Sequence, residues 1–199
     1  MPGSQSVYLT FDDGPDPLTT PGVLDCLARH KAKATFFIIA EKAKKEIALT
    51  KRILSEGHAL GNHSLDHRYK KFFFNKKSIG QWIKASEEIF RCLGIDTVAF
   101  RSPAGVRTPA LHSALRELKI PLVHWNIRFF DSTHPWTQEK AQRALDKITP
   151  GSIVLLHDSQ KKINREIFLG TLDFFLEGLN KKSIPLESLQ SVKPIPKKR

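Results

Sequence analysis

The stretch Leu9-Thr10-Phe11-Asp12-Asp13-Gly14-Pro15 governs how the rest of the chain is read. Val7-Tyr8-Leu9 before it is apolar and β-prone, so a buried strand runs into two adjacent carboxylates. Gly14-Pro15 then turns the chain, because glycine tolerates unusual φ and proline fixes it. Neighbouring carboxylates repel, so the pair calls for a cation or a shared proton.

Beyond that stretch, strand-like and helix-like segments alternate. Residues 34–40 form a continuous apolar run, typical of a strand buried on both faces. Further strands are expected at 58–62, 97–100, 121–126, 152–156 and 185–189. Helices are expected at 20–30, 41–56, 78–93, 108–118, 137–148 and 163–179, with Ile47, Ile53 and Leu54 on one side of the second. This alternation implies an α/β fold with a parallel sheet and outer helices. About seven strand–helix units favour a barrel or incomplete barrel, with the chemistry on the loops after the strands. No linker or repeat divides the chain, so residues 1–199 read as one domain, with a core over about 6–190 and a short basic tail.

At 40% hydrophobic residues the chain can bury a sizeable core, and no apolar run is long enough to span a bilayer. The start lacks a basic and then apolar stretch, so the sequence as written reads as cytoplasmic, or extracytoplasmic if it is a trimmed piece. A net charge of +12 favours an anionic partner or surface. The basic clusters lie at 42–45, 70–77, 161–162 and 197–199; no nucleic-acid motif accompanies them, so nucleic acid is not expected. A solvated basic surface is the plainer alternative. Cys26 and Cys92 sit in helical patterns and read as small core hydrophobes.

The residues suited to chemistry all follow strands: Asp12 and Asp13, His63 and His67, Arg101, Asp131, then His157 and Asp158. In a barrel these positions converge on one face. His63 and His67 are four apart, so one helical turn would aim both rings at a single metal. Two histidines and a carboxylate leave a coordination position open, as catalytic zinc sites do. His58 reads instead as a core residue, and Asp158 as a hydrogen-bonded structural acid.

Thr10-Phe11-Asp12-Asp13-Gly14-Pro15, His63-Ser64-x-x-His67, Arg101-Ser102-Pro103-x-Gly105 and Leu155-x-His157-Asp158, in this order, resemble the polysaccharide deacetylases. That is the NodB-homology family, also called carbohydrate esterase family four, and the resemblance runs from Tyr8 to Leu189. It implies a distorted, incomplete (β/α) barrel, one divalent metal, and removal of acetyl groups from sugars of a polysaccharide or glycolipid. Zinc is the first expectation for the metal, although thiolate-free sites also accept cobalt, nickel or manganese. By motif, Asp12 resembles the general base, and Asp13, His63 and His67 the metal ligands. Arg101 resembles the arginine that pairs with the base, His157 the general acid and Asp131 its partner. Leu155 resembles the leucine lining the acetyl-methyl pocket, and Ala104 offers a backbone N–H to the oxyanion. An amide needs this equipment: a cation to activate water and an acid to protonate the departing amine.

The chain departs from the family pattern in the groove. Ala104 stands where the family usually has an aromatic, and Arg128-Phe129-Phe130-Asp131-Ser132 replaces Asp-x-x-Asp-Trp. Specificity for chitin or peptidoglycan therefore does not follow. Trp136, after the fifth strand, is a candidate sugar contact, with packing as the plainer alternative. Phe72-Phe73-Phe74, bracketed by lysines, reads either as partly core or as a basic-aromatic patch for a lipid interface or long glycan. Hydrolysis of a small non-sugar amide is the alternative function. A non-catalytic metal or polymer binder is a further one, but it would need neither Asp12 nor His157.

Overall fold

The apolar run before Asp12 becomes β1 (Tyr8–Asp12), buried along its whole length at the centre of the sheet. The structure is a computed structural model describing residues 5–159 and 164–189; the basic clusters at 161–162 and 197–199 lie outside the described residues. After β1 come α1 (Thr20–Arg29), β2 (Ala34–Ile38), α2 (Ala40–Lys45), α3 (Ile47–Ser55) and β3 (Ala59–Asn62). Next are α4 (Lys76–Cys92), α5 (Pro109–Leu118), β4 (Ile127–Arg128), α6 (Gln138–Leu145), β5 (Ile153–His157) and α7 (Arg165–Lys181). The strands pair in parallel in the order β3-β2-β1-β5-β4.

Side chains alternate across a strand, and here the alternation separates packing from chemistry. Leu9, Phe11, Phe36, Ile38, Val154 and Leu156 join the main apolar core beneath the helices, with Val23, Leu24, Leu172 and Phe175. The residues between them, Thr10, Asp12, Leu155 and His157, fall on the opposite face. The register sets Thr10 beside Leu155 and Asp12 beside His157.

Five strands form among the described residues, not about seven. Segments 97–100 and 121–126 contribute single bridges only, Asn62 to Phe100 and Phe100 to Leu122, and 185–189 only one, Val7 to Leu186. For 121–126 the physical reason lies in Arg101 and Pro121. The Arg101 guanidinium takes the carbonyls of Val123 and His124, and Pro121 has no N–H to give a ladder. The expected helix over 41–56 is likewise two helices, broken at Glu46 (φ −109°, ψ 54°). Ile53 is buried there, but Ile47 and Leu54 are exposed. Cys26 is buried as expected, whereas Cys92 lies exposed at the end of α4. Helix starts follow the sequence closely: Thr108 accepts from the Leu111 N–H and Thr137 from the Lys140 N–H. No helix among the described residues is long and apolar enough to cross a membrane.

Candidate active site

Asp12 ends β1 and His157 ends β5, so two of the expected residues are direct cross-strand neighbours. Asp13 leaves the strand with φ 73°, in the left-handed region. The unusual φ of the turn thus belongs to Asp13 and not to Gly14. Gly14 is needed for a different reason: a Cβ there would lie 2.3 Å from Asp158 Oδ2. His63 and His67 lie in a loop, not on a helical turn, and Ser64 (φ 78°) and His67 (φ 60°) are themselves left-handed. That loop is pinned by Ser64 N–H to Asn62 Oδ1 and His67 N–H to Ser64 Oγ.

The loop nevertheless brings the two rings to one carboxylate. Asp13 Oδ1 lies 3.2 Å from His63 Nε2 and 3.0 Å from His67 Nε2. Burial works to raise the Asp13 pKa, but the two histidines outweigh it and hold the carboxyl far below the usual range. His63 Nδ1 lies 2.9 Å from the Arg101 carbonyl, which can only accept, so Nδ1 carries a hydrogen and Nε2 is the ring atom available to a cation beside Asp13. Asp13 Oδ1 is buried and has no hydrogen-bond partner of acceptable geometry. An orphaned carboxylate oxygen facing two imidazole nitrogens fits a divalent cation, with the His63–Arg101 contact as outer support.

A second triple of metal-type side chains exists in Cys26, His30 and Asp173. It does not fit a cation. Asp173 Oδ1 already takes Arg29 at 2.7 Å and His30 at 3.0 Å. Burial, with Asp173 beside it, pushes the Cys26 thiol up to about 12.

Arg101 is completely buried. Its Nη1 donates to Asp12 Oδ1 at 2.8 Å and to Thr10 Oγ1 at 2.7 Å, and its guanidinium lies 4.0 Å from the Phe37 ring centre. On the opposite side of Asp12, the His157 Nδ1–H donates to Asp131 Oδ1 at 2.9 Å, and the His157 backbone N–H donates to Oδ2 at 2.7 Å. Burial works against a charged His157, but Asp131 overcomes it and raises the imidazole to about 9.

Leu155 is buried on the same strand face as His157. Ala104 is exposed, with φ 54°, in a tight 3-10 turn. Trp136 is corrected: it is 1% exposed, packed 4.7 Å from Phe129, 5.7 Å from Phe168 and 5.5 Å from Phe175, so the core holds its ring away from any substrate. In the Phe72–Phe74 run, Phe72 is buried while Phe73 and Phe74 stand exposed. His58 is buried, and Nδ1 accepts from the Ala34 N–H. Asp158 accepts from Thr20 Oγ1 at 2.6 Å, and burial pushes its carboxyl up to about 7.

Over the site opens a cleft of about 600 Å³, lined by Asp13, Lys42, Asp66, His67, Ser132 and Thr133 among others. Lys42 was read only as part of the basic cluster at 42–45, and its role here was missed. Its Nζ donates to the Asp13 carbonyl at 2.6 Å and to Ser159 Oγ at 3.0 Å, so it braces the ligand-bearing turn. The only signal was its place just beyond a strand end.

The family model described as polysaccharide deacetylase matches residues 1–123. A chitooligosaccharide deacetylase of Sinorhizobium fredii is 35% identical over 157 residues, covering 78% of this chain and 73% of that protein. The peptidoglycan-N-acetylglucosamine deacetylase PgdA of Listeria monocytogenes is 34% identical over 162 residues, 79% of this chain but only 33% of that longer protein. The solved peptidoglycan deacetylase PdaC of Bacillus subtilis superposes with a TM-score of 0.81 at 25% identity, covering 95% of this chain and 90% of that one.

Proposed function

The chain belongs to the polysaccharide deacetylase family, and we propose on that premise that it hydrolyses the acetamido group of an N-acetylated glycan. It is a metal-dependent carbohydrate deacetylase. The observation that carries the assignment of roles is the pair of opposed groups around Asp12: buried Arg101 on one side, and His157 raised by Asp131 on the other. Asp13, His63 and His67 would hold a divalent cation, zinc in keeping with two imidazoles and one carboxylate, which would supply Lewis acidity and acidify water when bound. Asp12 takes the proton of the attacking water, and Arg101 holds that carboxylate in place. The Ala104 N–H faces the developing oxyanion. His157, protonated at neutral pH, passes its Nε2 proton to the departing nitrogen, and Asp131 fixes the ring and its charge. Leu155 lines the wall that receives the acetyl methyl.

The five strands, extended by the bridges at Phe100 and Leu122, read as the incomplete (β/α) barrel of this family, with residues 1–199 as one catalytic domain. Acetate release from N-acetylated chitooligosaccharides and peptidoglycan, using chelated protein with metal added back, tests the function. Metal-dependent release that disappears in Asp12→Asn and His157→Ala is expected. Undiminished release in either variant would overturn the roles given to those residues.

A further inference from the structure

A second cleft, of about 630 Å³, lies behind the loop that carries Asp131. It is lined by Arg128, Phe130, His134, Lys140, Arg143 and Lys147, among others, and by no carboxylate. Four basic side chains therefore face one space, and among the described residues none of them is in an ion pair, although Lys140 Nζ donates to the Pro135 carbonyl at 2.9 Å. Lys140, Arg143 and Lys147 recur three and four residues apart along α6 and the turn after it, a spacing at which like charges repel. The Arg128 guanidinium is held by aromatic rings, 3.7 Å from the Phe130 centre and 5.6 Å from that of Trp125.

The loop itself is strained towards this arrangement. Phe130 has φ 58°, costly for an aromatic residue, and is 53% exposed. That conformation keeps Phe130 on the basic cleft while the next residue, Asp131, turns inward to His157. Ser132 and Thr133 then line the catalytic cleft. One loop thus separates the two clefts and contributes side chains to both.

We infer that the basic cleft is an anion subsite: the glycan substrate carries a carboxylate or phosphate that seats among Arg128, Arg143 and Lys147. The glycan part of this inference rests on the deacetylase reading; the anion site itself does not. Arg143 and Lys147 are exposed, so the double variant Arg143→Ala/Lys147→Ala keeps the fold. It is assayed on a neutral chitin tetramer and on the same tetramer bearing a carboxylate or a phosphate at C6. The expected result is a KM raised about ten-fold for at least one charged tetramer, with kcat unchanged and the neutral substrate unaffected; the arm that responds names the anion. Equal effects on neutral and charged substrates, or none on either charged one, would overturn the inference. Calorimetric titration of Asp12→Asn protein with glucuronate and with pyrophosphate separates the two readings. Binding weakened by the double substitution supports the site even where no glycan is turned over, an outcome that would sink only the deacetylase reading. Absence of binding to both probes overturns the site whatever the turnover.

Discussion

Asp13–His63–His67 and Cys26–His30–Asp173 are two triples of metal-type side chains of similar tightness in one fold. They differ in what their acids already hold. Asp13 Oδ1 is buried and orphaned between two imidazoles, whereas Asp173 Oδ1 accepts from Arg29 and the Cys26 thiol and lies 3.0 Å from His30. Proximity of ligand-type residues therefore does not make a metal site; lone pairs that no protein donor satisfies do.

The largest expected effect separates the two triples directly. Asp13→Ala is expected to lose the tightly bound divalent ion, measured by elemental analysis, and to cut acetate release by at least about 10⁴-fold. Asp173→Ala should change neither. The same contrast holds for stability. Arg101→Met leaves the buried Asp12 carboxylate without its partner and should cost about 3–5 kcal/mol in chemical denaturation. Arg29→Ala, at the exposed Asp173 pair, should cost less than about 1 kcal/mol.

A third, smaller effect is a pH limb. His157 holds its proton below about 9, so kcat should fall as pH rises through that value. Asp131→Asn removes the group that raises it; the fall should then move down towards 6.5, which lowers the protonated fraction, and with it the rate, about four-fold at pH 7. An unmoved limb in that variant would separate His157 from the acid role. Smallest is the acid behaviour of Asp173, lowered from 3.8 to about 2, first by Arg29 and then by His30. A depressed carboxyl contributes stability present above 3.8 and lost as pH falls through about 2. Solvent screening holds that contribution below about 1 kcal/mol, readable as a small difference in denaturation midpoint for Asp173→Asn between pH 7 and acid.

Much of this was legible in the chain. The run ending at Asp12 announced a buried strand because it is apolar and β-prone, and the structure sets it at the centre of the sheet. Thr108 and Thr137 announced helix starts because capping is local chemistry. The strand count was less legible: residues 121–126 look like a strand, but the Arg101 guanidinium takes the Val123 and His124 carbonyls a ladder would use. The sugar-contact reading of Trp136 fell for a related reason. Its position after a strand suggested the active face, yet Phe129, Phe168 and Phe175 surround it from separate elements.

The sequence by itself determined the inventory and order of chemical groups: two acids at a strand end, two histidines four apart, then an arginine, an aspartate and a histidine after successive segments. Such information is carried by residue type, local spacing and the period of the apolar pattern. Only the tertiary structure decided the pairings. Arg101 reaches Asp12 across 89 positions, Lys42 braces the turn at Asp13 from α2, and Asp173 is claimed by Arg29 rather than by a cation. Which partner satisfies a buried charge depends on parallel strand register and on which loops meet above it. Those are long-range contacts that no local window of the chain contains.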